Sequence, residues 1–194
     1  MMNWVIPRLN EFYQLHPHID LRFNLNYDRV DFVRDEISVA IRNNTIEPPR
    51  DVDVRSLIDE EIGPVCSPIY LSKNPIENAS MLDVKTLIST KTRSLAWDEW
   101  TESANIPHLN VQPHQQYEHF YLLIQAAICG LGVAVVPRIL VLTELALGRL
   151  VAPLGFVKGP RKLVLWVAPH LRLRPETRAL VNWIDVEMRK TDAA

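Results

Sequence analysis

The sequence predicts an α/β fold, and three observations carry the prediction. Segments with apolar residues at alternate positions interleave with segments whose apolar residues recur every three or four positions, the periods of strands and of helices. One strand candidate, GVAVVP at 132–137, is apolar throughout, which suits a sheet covered on both faces and hence a largely parallel one. Five of the six glycines stand at position 130 or beyond, with only Gly63 before them. That skew points to two structural units with different turn chemistry.

The elements follow in chain order. Val5, Leu9 and Phe12 have helical spacing, so 3–15 reads as an amphipathic helix that His16 and Pro17 end. IDLRFNLNY at 19–27 alternates Leu21, Phe23, Leu25 and Tyr27, a half-buried strand. EISVAIR at 36–42 is a second strand, with Asn43 and Asn44 after it. VDVRSLI at 52–58 and EIGPVCS at 61–67 read as two more. Ser67 then Pro68 is a helix entry, with Ser as cap and Pro at the first helical position. Ser80 and Asp83 have capping-box spacing for a helix over 81–88.

RSLAWDEW at 93–100 begins as a strand and ends in a turn or helix, and NVQPHQQY at 110–117 is extended. Phe120, Leu123, Ile124, Ala127 and Ile128 mark a helix that Gly130 stops. After the strand at 132–137, residues 138–147 make a very apolar helix closed by Gly148, part core and part dimer face. RLVAPL at 149–154 and KLVLWVAP at 162–169 are strands. Pro175 opens a last helix with Leu180, Val181, Ile184 and Met188 inward.

Composition closes several routes. Apolar residues make up 47% and charged residues 23% of the 194, an ordinary globular balance. A net charge of −2 offers no electrostatic footprint for nucleic acid. Two cysteines, Cys66 and Cys129, are too few for a disulfide scaffold or a zinc site. No apolar run approaches the ~18 residues that span a bilayer, and the N-terminus carries no secretory pattern. The cytoplasm is the expected compartment, with no membrane partner. The six histidines, at 16, 18, 108, 114, 119 and 170, fit no ligand spacing, so no metal and no cofactor is expected.

Gly130-Leu-Gly132 raises the one nucleotide question. A dinucleotide fingerprint puts Gly-x-Gly-x-x-Gly after a strand and before a helix. Here a helix comes first, a strand follows, and position 135 is Val. The better reading is a joint: Gly130 takes a left-handed conformation that stops the helix, and Gly132 lets the strand start close against it.

Helix, GLGVAVVP, apolar helix, then GRLV resembles the second half of the effector-binding domain of LysR-type transcriptional regulators. VIPRLNEFYQLHPHIDLRF, VDFVRDEISVAIR and DVRSLIDEEIGPVCSPIYL resemble further segments of it in the right order, over nearly the whole chain. LAWDEW and ALGRLVAPL are similar to the glycine-cleavage-activator and β-lactamase-regulator branch. The resemblance implies a type 2 periplasmic-binding-protein-like fold: two subdomains joined by crossing strands near 61–66 and 162–168, with a small effector in the cleft. Subdomain I would be 1–64 plus 163–194 and subdomain II 65–162.

It further implies assembly as a homodimer or homotetramer, and DNA binding only through a domain that this chain does not include. The family's first strand, which often supplies a Ser or Thr contact, is also missing here. The expectation is a weakened subdomain I, or a sheet edge filled by another chain.

The effector candidates follow strand ends, where ligands of open α/β sheets gather. Arg42 and Asn43 close one strand, and Asn26 and Tyr27 close the one before it. Ser67 stands at a helix entry, either an ordinary cap or an anion contact. Tyr117, Glu118 and His119 precede a helix on a loop that faces the family's cleft, and Pro137 ends GVAVVP facing the same way. No catalytic residues are expected. Cys66 has no partner to make it a nucleophile, and Asp98 and Glu99, adjacent beside Trp97 and Trp100, should point apart rather than act as a glycosidase pair. The rival reading is a free-standing solute-binding protein of transport type.

Overall fold

A computed structural model describes residues 1–25, 29–106 and 113–192. In chain order the elements are α1 (Met2–Val5), α2 (Leu9–Leu15), β1 (Val39–Asn43), β2 (Asp53–Val65), α3 (Pro68–Lys73), β3 (Leu87–Thr90), α4 (Ala96–Ser103), β4 (Gln115–Tyr117), α5 (Phe120–Ile128), β5 (Val133–Pro137), α6 (Leu142–Ala146), β6 (Val157–Val167) and α7 (Pro175–Asp192). They fall into two units: Met1–Asp59 with Arg161–Ala194, and Glu60–Pro160. The chain passes between the units inside β2 and inside β6.

In the first unit β1 pairs antiparallel with β6, Val39 opposite Val167 and Asn43 opposite Leu163. Val30 and Phe32 pack with Val164, Trp166 and Ala168. Trp4 and Phe12 meet Trp183 of α7 at 6.5 and 5.2 Å between ring centroids. The Trp4 indole N–H donates to the Thr191 hydroxyl at 2.9 Å, satisfying a donor that burial would otherwise strand.

In the second unit β5 lies between β2 and β3. It is antiparallel to β2, with Ile62 opposite Pro137 and Val65 opposite Ala134. It is parallel to β3, which is itself parallel to β4. Every residue of β5 is buried. One face carries Val133 and Val135 into a cluster with Trp97 and Trp100 of α4; the other carries Ala134 and Val136 onto Leu123, Ile124 and Ala127 of α5. A strand covered on both faces is apolar without alternation.

Several expectations change. The sheet pairings are mixed rather than largely parallel. The helix expected at 3–15 is broken by a 3-10 turn at Ile6–Arg8, because Pro7 has no N–H to continue an α-helical ladder. Residues 19–25 form no strand, and Phe23 and Leu25 are 46% and 68% exposed; alternation makes a strand only where a partner edge exists. The two strands expected at 52–58 and 61–67 are one strand, β2. The acids Asp59, Glu60 and Glu61 do not break it because Lys162, Arg93 and Arg138 each take one of them.

The helix expected at 81–88 is two 3-10 turns, Ala79–Met81 and Val84–Thr86, capped by Asn78 and Asp83, after which Leu87 and Ile88 are drawn into the buried strand β3. RSLAWDEW does not begin as a strand: β3 ends at Thr90 and α4 starts at Ala96. The helix expected over 138–147 is a 3-10 turn and the short α6, separated at Val141. RLVAPL pairs only through a single bridge from Val151 to Cys66.

Gly130 and Gly132 do form the joint. Gly130 has φ +77, in the left-handed region, at the end of α5. A Cβ on Gly132 would stand 2.1 Å from the Thr86 carbonyl oxygen, so the chain there passes too close for any side chain.

Candidate functional site

The registers of the second unit decide which candidates stand together. β3, β4 and β5 are parallel, so Thr90, Tyr117 and Pro137 end on the same edge of the sheet; Thr90 lies opposite Tyr117. Antiparallel β2 brings Ile62 to that edge beside Pro137. Two residues past Tyr117, α5 begins. Its cap residue His119 makes no side-chain capping bond, so the first-turn amides of α5 lack the usual partner.

Around this edge the polar groups are tied together. The Thr90 hydroxyl, fully buried, donates to the Glu118 carbonyl at 3.3 Å. The Lys91 ammonium bonds the Glu118 carboxylate and, through that bond first of all, holds its pKa below the ordinary range. Arg138, directly after Pro137, reaches Glu61 at 3.2 Å. The Tyr117 hydroxyl is buried and has no hydrogen-bond partner among the described residues. Tyr117, Glu118, His119 and Pro137 are therefore one constellation, on the edge where an open α/β sheet takes its ligand.

Ser67 is elsewhere. β2 carries it to the other edge, past Val65 and the start of β5, where its oxygen would lie 3.3 Å from a Cβ on Gly130. The residue is 3% exposed, and its hydroxyl accepts the Tyr70 amide at 3.2 Å. Its work is that of a helix cap. Arg42 and Asn43 belong to the first unit, at the end of β1 opposite Val164 and Leu163. Arg42 is half-buried, and burial lowers its pKa. The Asn43 side-chain oxygen accepts the Thr45 amide at 3.2 Å, a local turn bond. Asn26 and Tyr27 lie outside the described residues.

The sequence reading missed the cations of this unit. Arg93 bonds Glu60 with both terminal nitrogens, at 2.8 and 2.7 Å, and Glu99 with Nε at 2.7 Å. Burial opposes its charge, but the bonds to Glu60 and then Glu99 outweigh that and raise its pKa. The one usable signal was Lys91-Thr-Arg93 lying between a strand and a helix. Asp98 points to solvent while Glu99 turns to Arg93, so the adjacent acids diverge. The Cys66 thiol, buried, is pushed up to about 11 by desolvation, which disfavours the nucleophilic thiolate. No cluster of three or more His, Cys, Asp or Glu that would hold a metal ion occurs among the described residues.

A two-unit α/β chain with strands passing between the units is the architecture of effector-binding domains of bacterial regulators. Residues 1–189 match the LysR substrate binding domain, and the chain belongs to that family. It is 32% identical over 186 residues to the HTH-type transcriptional regulator TrpI of Pseudomonas aeruginosa, covering 95% of this chain and 63% of that one. It is 32% identical over 157 residues to the glycine cleavage system transcriptional activator of Escherichia coli, covering 80% of this chain and 51% of the relative. The chain thus spans between half and two thirds of the length of these relatives. The effector domain of the transcriptional regulator AmpR of Pseudomonas aeruginosa has the same fold, with a TM-score of 0.80 at 21% identity over 98% of this chain and 91% of that one. These relatives are transcriptional regulators, and none of them favours a transport protein or an enzyme.

Proposed function

We propose that this chain is the effector-sensing and oligomerisation domain of a LysR-type transcriptional regulator of the cytoplasm. A small metabolite or cell-wall fragment binds at the strand edge of the second unit, contacted by Tyr117, Glu118, His119 and Pro137. The observation that supports this most is the shared edge of Thr90, Tyr117 and Pro137, with the uncapped start of α5 beside it.

Binding carries information only if the effector prefers one conformation over another; tenfold preference corresponds to about 1.4 kcal/mol of bias. That bias passes to a DNA-binding region outside this chain, and no bond is made or broken. Exposed apolar residues on α2 and α5, among them Leu15 at 68% and Tyr121 at 62%, support a homodimer or homotetramer. No helix among the described residues is long and apolar enough to cross a membrane.

A thermal-shift screen against amino acids, aromatic acids and muropeptide fragments, with product analysis alongside, tests the reading. We expect one class to raise Tm, and the rise to shrink at least tenfold in effective concentration for Tyr117→Ala and His119→Ala but not for Ser67→Ala. Turnover of any compound, or shifts equal in all variants, would refute it.

A further inference from the structure

Four charged residues stand in a row just past the edge that carries Tyr117 and Pro137. Thr90 lies opposite Tyr117, so the next residues, Lys91 and Glu118, are level with each other. Ile62 lies opposite Pro137 on an antiparallel partner, so Glu61 and Arg138 are level too. Leu87 lies opposite Val133, and the same offset brings Lys91 level with Pro137, one residue short of Arg138. The strands run in the order β2, β5, β3, β4. Across the edge the charges therefore read acid, cation, cation, acid: Glu61, Arg138, Lys91, Glu118.

Each cation is drawn outward. Arg138 Nη1 lies 3.2 Å from a Glu61 carboxylate oxygen, and the Lys91 ammonium bonds Glu118. The partners are 77 and 27 positions apart in the chain, so the sheet assembles the row. Other exposed pairs are local, as Arg34 with Asp35 or Arg55 with Asp53.

The order of signs is a costly one. Alternating signs would give every inner charge an opposite neighbour on both sides. Here the two cations follow adjacent strands, which stand ~4.8 Å apart, and like charges on neighbouring strands repel. The outer pairs relieve this only weakly, because all four side chains are partly or largely exposed and solvent screens them. A negative group set between Arg138 and Lys91 would remove the repulsion. Both acids would then lie about three times farther from it along the row than the cations do, so attraction wins.

We propose that Arg138 and Lys91 form a subsite for a small dianionic group of the effector, a phosphate monoester or a dicarboxylate, and that Glu61 and Glu118 hold the two cations until it binds. The subsite belongs to the effector site proposed above and rests on that reading for its place. Two negative charges match both cations, whereas a monoanion leaves one unmatched. The acids give up their partners when the dianion binds, so they compete with it and raise the concentration at which it responds.

NMR titrations at constant ionic strength, with glycerol phosphate, succinate and acetate as probes, test this. Either dianion should shift the Arg138 Nε signal and the amides of 118–120 saturably, at least tenfold more tightly than acetate. Lys91→Gln and Arg138→Gln should each weaken the dianion at least tenfold. Arg172→Gln, an exposed arginine of the first unit, should leave it unchanged. Glu61→Gln and Glu118→Gln should each tighten it, because one internal competitor is gone. Circular dichroism checks each fold. Tighter glycerol phosphate identifies a phosphate ester and tighter succinate a dicarboxylate, and either upholds the subsite. Dianions no tighter than acetate, cation variants that bind like the unchanged chain, or acid variants that bind more weakly would overturn it. Tyr117→Ala separates this from the broader reading. An effector lost in Tyr117→Ala without any dianion preference keeps the site and removes the subsite. Dianion binding at the row beside an effector indifferent to Tyr117→Ala keeps the subsite and moves the effector elsewhere.

Discussion

Arg93 and Glu60 face each other fork to fork, with terminal nitrogens 2.8 and 2.7 Å from the two carboxylate oxygens and side chains only 3% and 6% exposed. Glu60 is the first residue of the second unit, inside a strand that continues from the first. Glu99 of α4 shares the same guanidinium. One cation therefore fastens the entering strand to the helix that covers the Trp97 and Trp100 core.

Removing that cation strands two carboxylates. Arg93→Met should cost about 3–5 kcal/mol, the usual penalty for one deleted partner of a buried pair. Adding Glu60→Gln and Glu99→Gln to the same chain should recover much of the loss, since no charge is then left uncompensated. Urea denaturation of the single and triple variants measures both. A single variant within about 1 kcal/mol of the unchanged chain would show that the fork is not holding the strand.

Gly132→Ala tests the joint between α5 and β5. The new Cβ would stand 2.1 Å from the Thr86 carbonyl oxygen and 3.2 Å from Ile88 Cγ2, and the first of these is backbone that cannot rotate away. Overpacking of this kind costs about 1–3 kcal/mol or more. The expected result is a lower Tm with unaltered nucleotide behaviour: no binding of NAD or ATP before or after the change, because the loop precedes a strand rather than a helix.

GLGVAVVP was legible because its rules are local: a left-handed glycine, a close approach, a doubly covered strand. Ser67 as cap was legible for the same reason. Where the structure departs, a distant residue decides. The alternation of Leu21, Phe23 and Leu25 reports β propensity but not a partner edge. The acids at 59–61 look like a strand break until Lys162, Arg93 and Arg138 are known to stand beside them. The Tyr117 to His119 segment was readable as the end of a strand before a helix. Arg93 was not, since its meaning depends on Glu60, 33 positions earlier in the chain.

Hydrogen exchange should separate residues 19–25 from β5. The former have no ladder and carry exposed Phe23 and Leu25; the latter is buried over its whole length between two strands. Amides of 21–25 should exchange at close to unprotected rates, while those of 134–136 exchange only by global or near-global opening. Protection at 21–25 that matches β5 would mean a strand partner has joined that segment.

The two thiols should differ sharply in reactivity. Cys129 is exposed at the end of α5, and Cys66 is buried with its pKa pushed up to about 11 by desolvation. At pH 8 a disulfide reagent should label one thiol per folded chain and two in denaturant. The raised pKa also has a sign for stability. Between the unfolded value, near 9, and about 11 the folded chain keeps a proton that the unfolded chain releases, so this group lowers stability as pH rises through that window. Cys66→Ala should remove that part of the alkaline loss.

Glu118 gives the opposite sign at the other end of the scale. Its bond to Lys91 holds its carboxyl below the ordinary range. A depressed acid contributes stability above its unfolded pKa and loses it as pH falls through the folded one. The pair is exposed, so the stability effect is small and screened by salt; the informative reading is the titration itself. Side-chain NMR should show Glu118 titrating below the exposed glutamates, and Lys91→Ala should return it to them. If the effector carries an anionic group to the start of α5, its binding should compete with Glu118 for Lys91. Saturating effector should then raise the Glu118 pKa in the unchanged chain and leave it unmoved in Lys91→Ala. A Glu118 that titrates the same with and without effector would place the ligand's charge away from this edge.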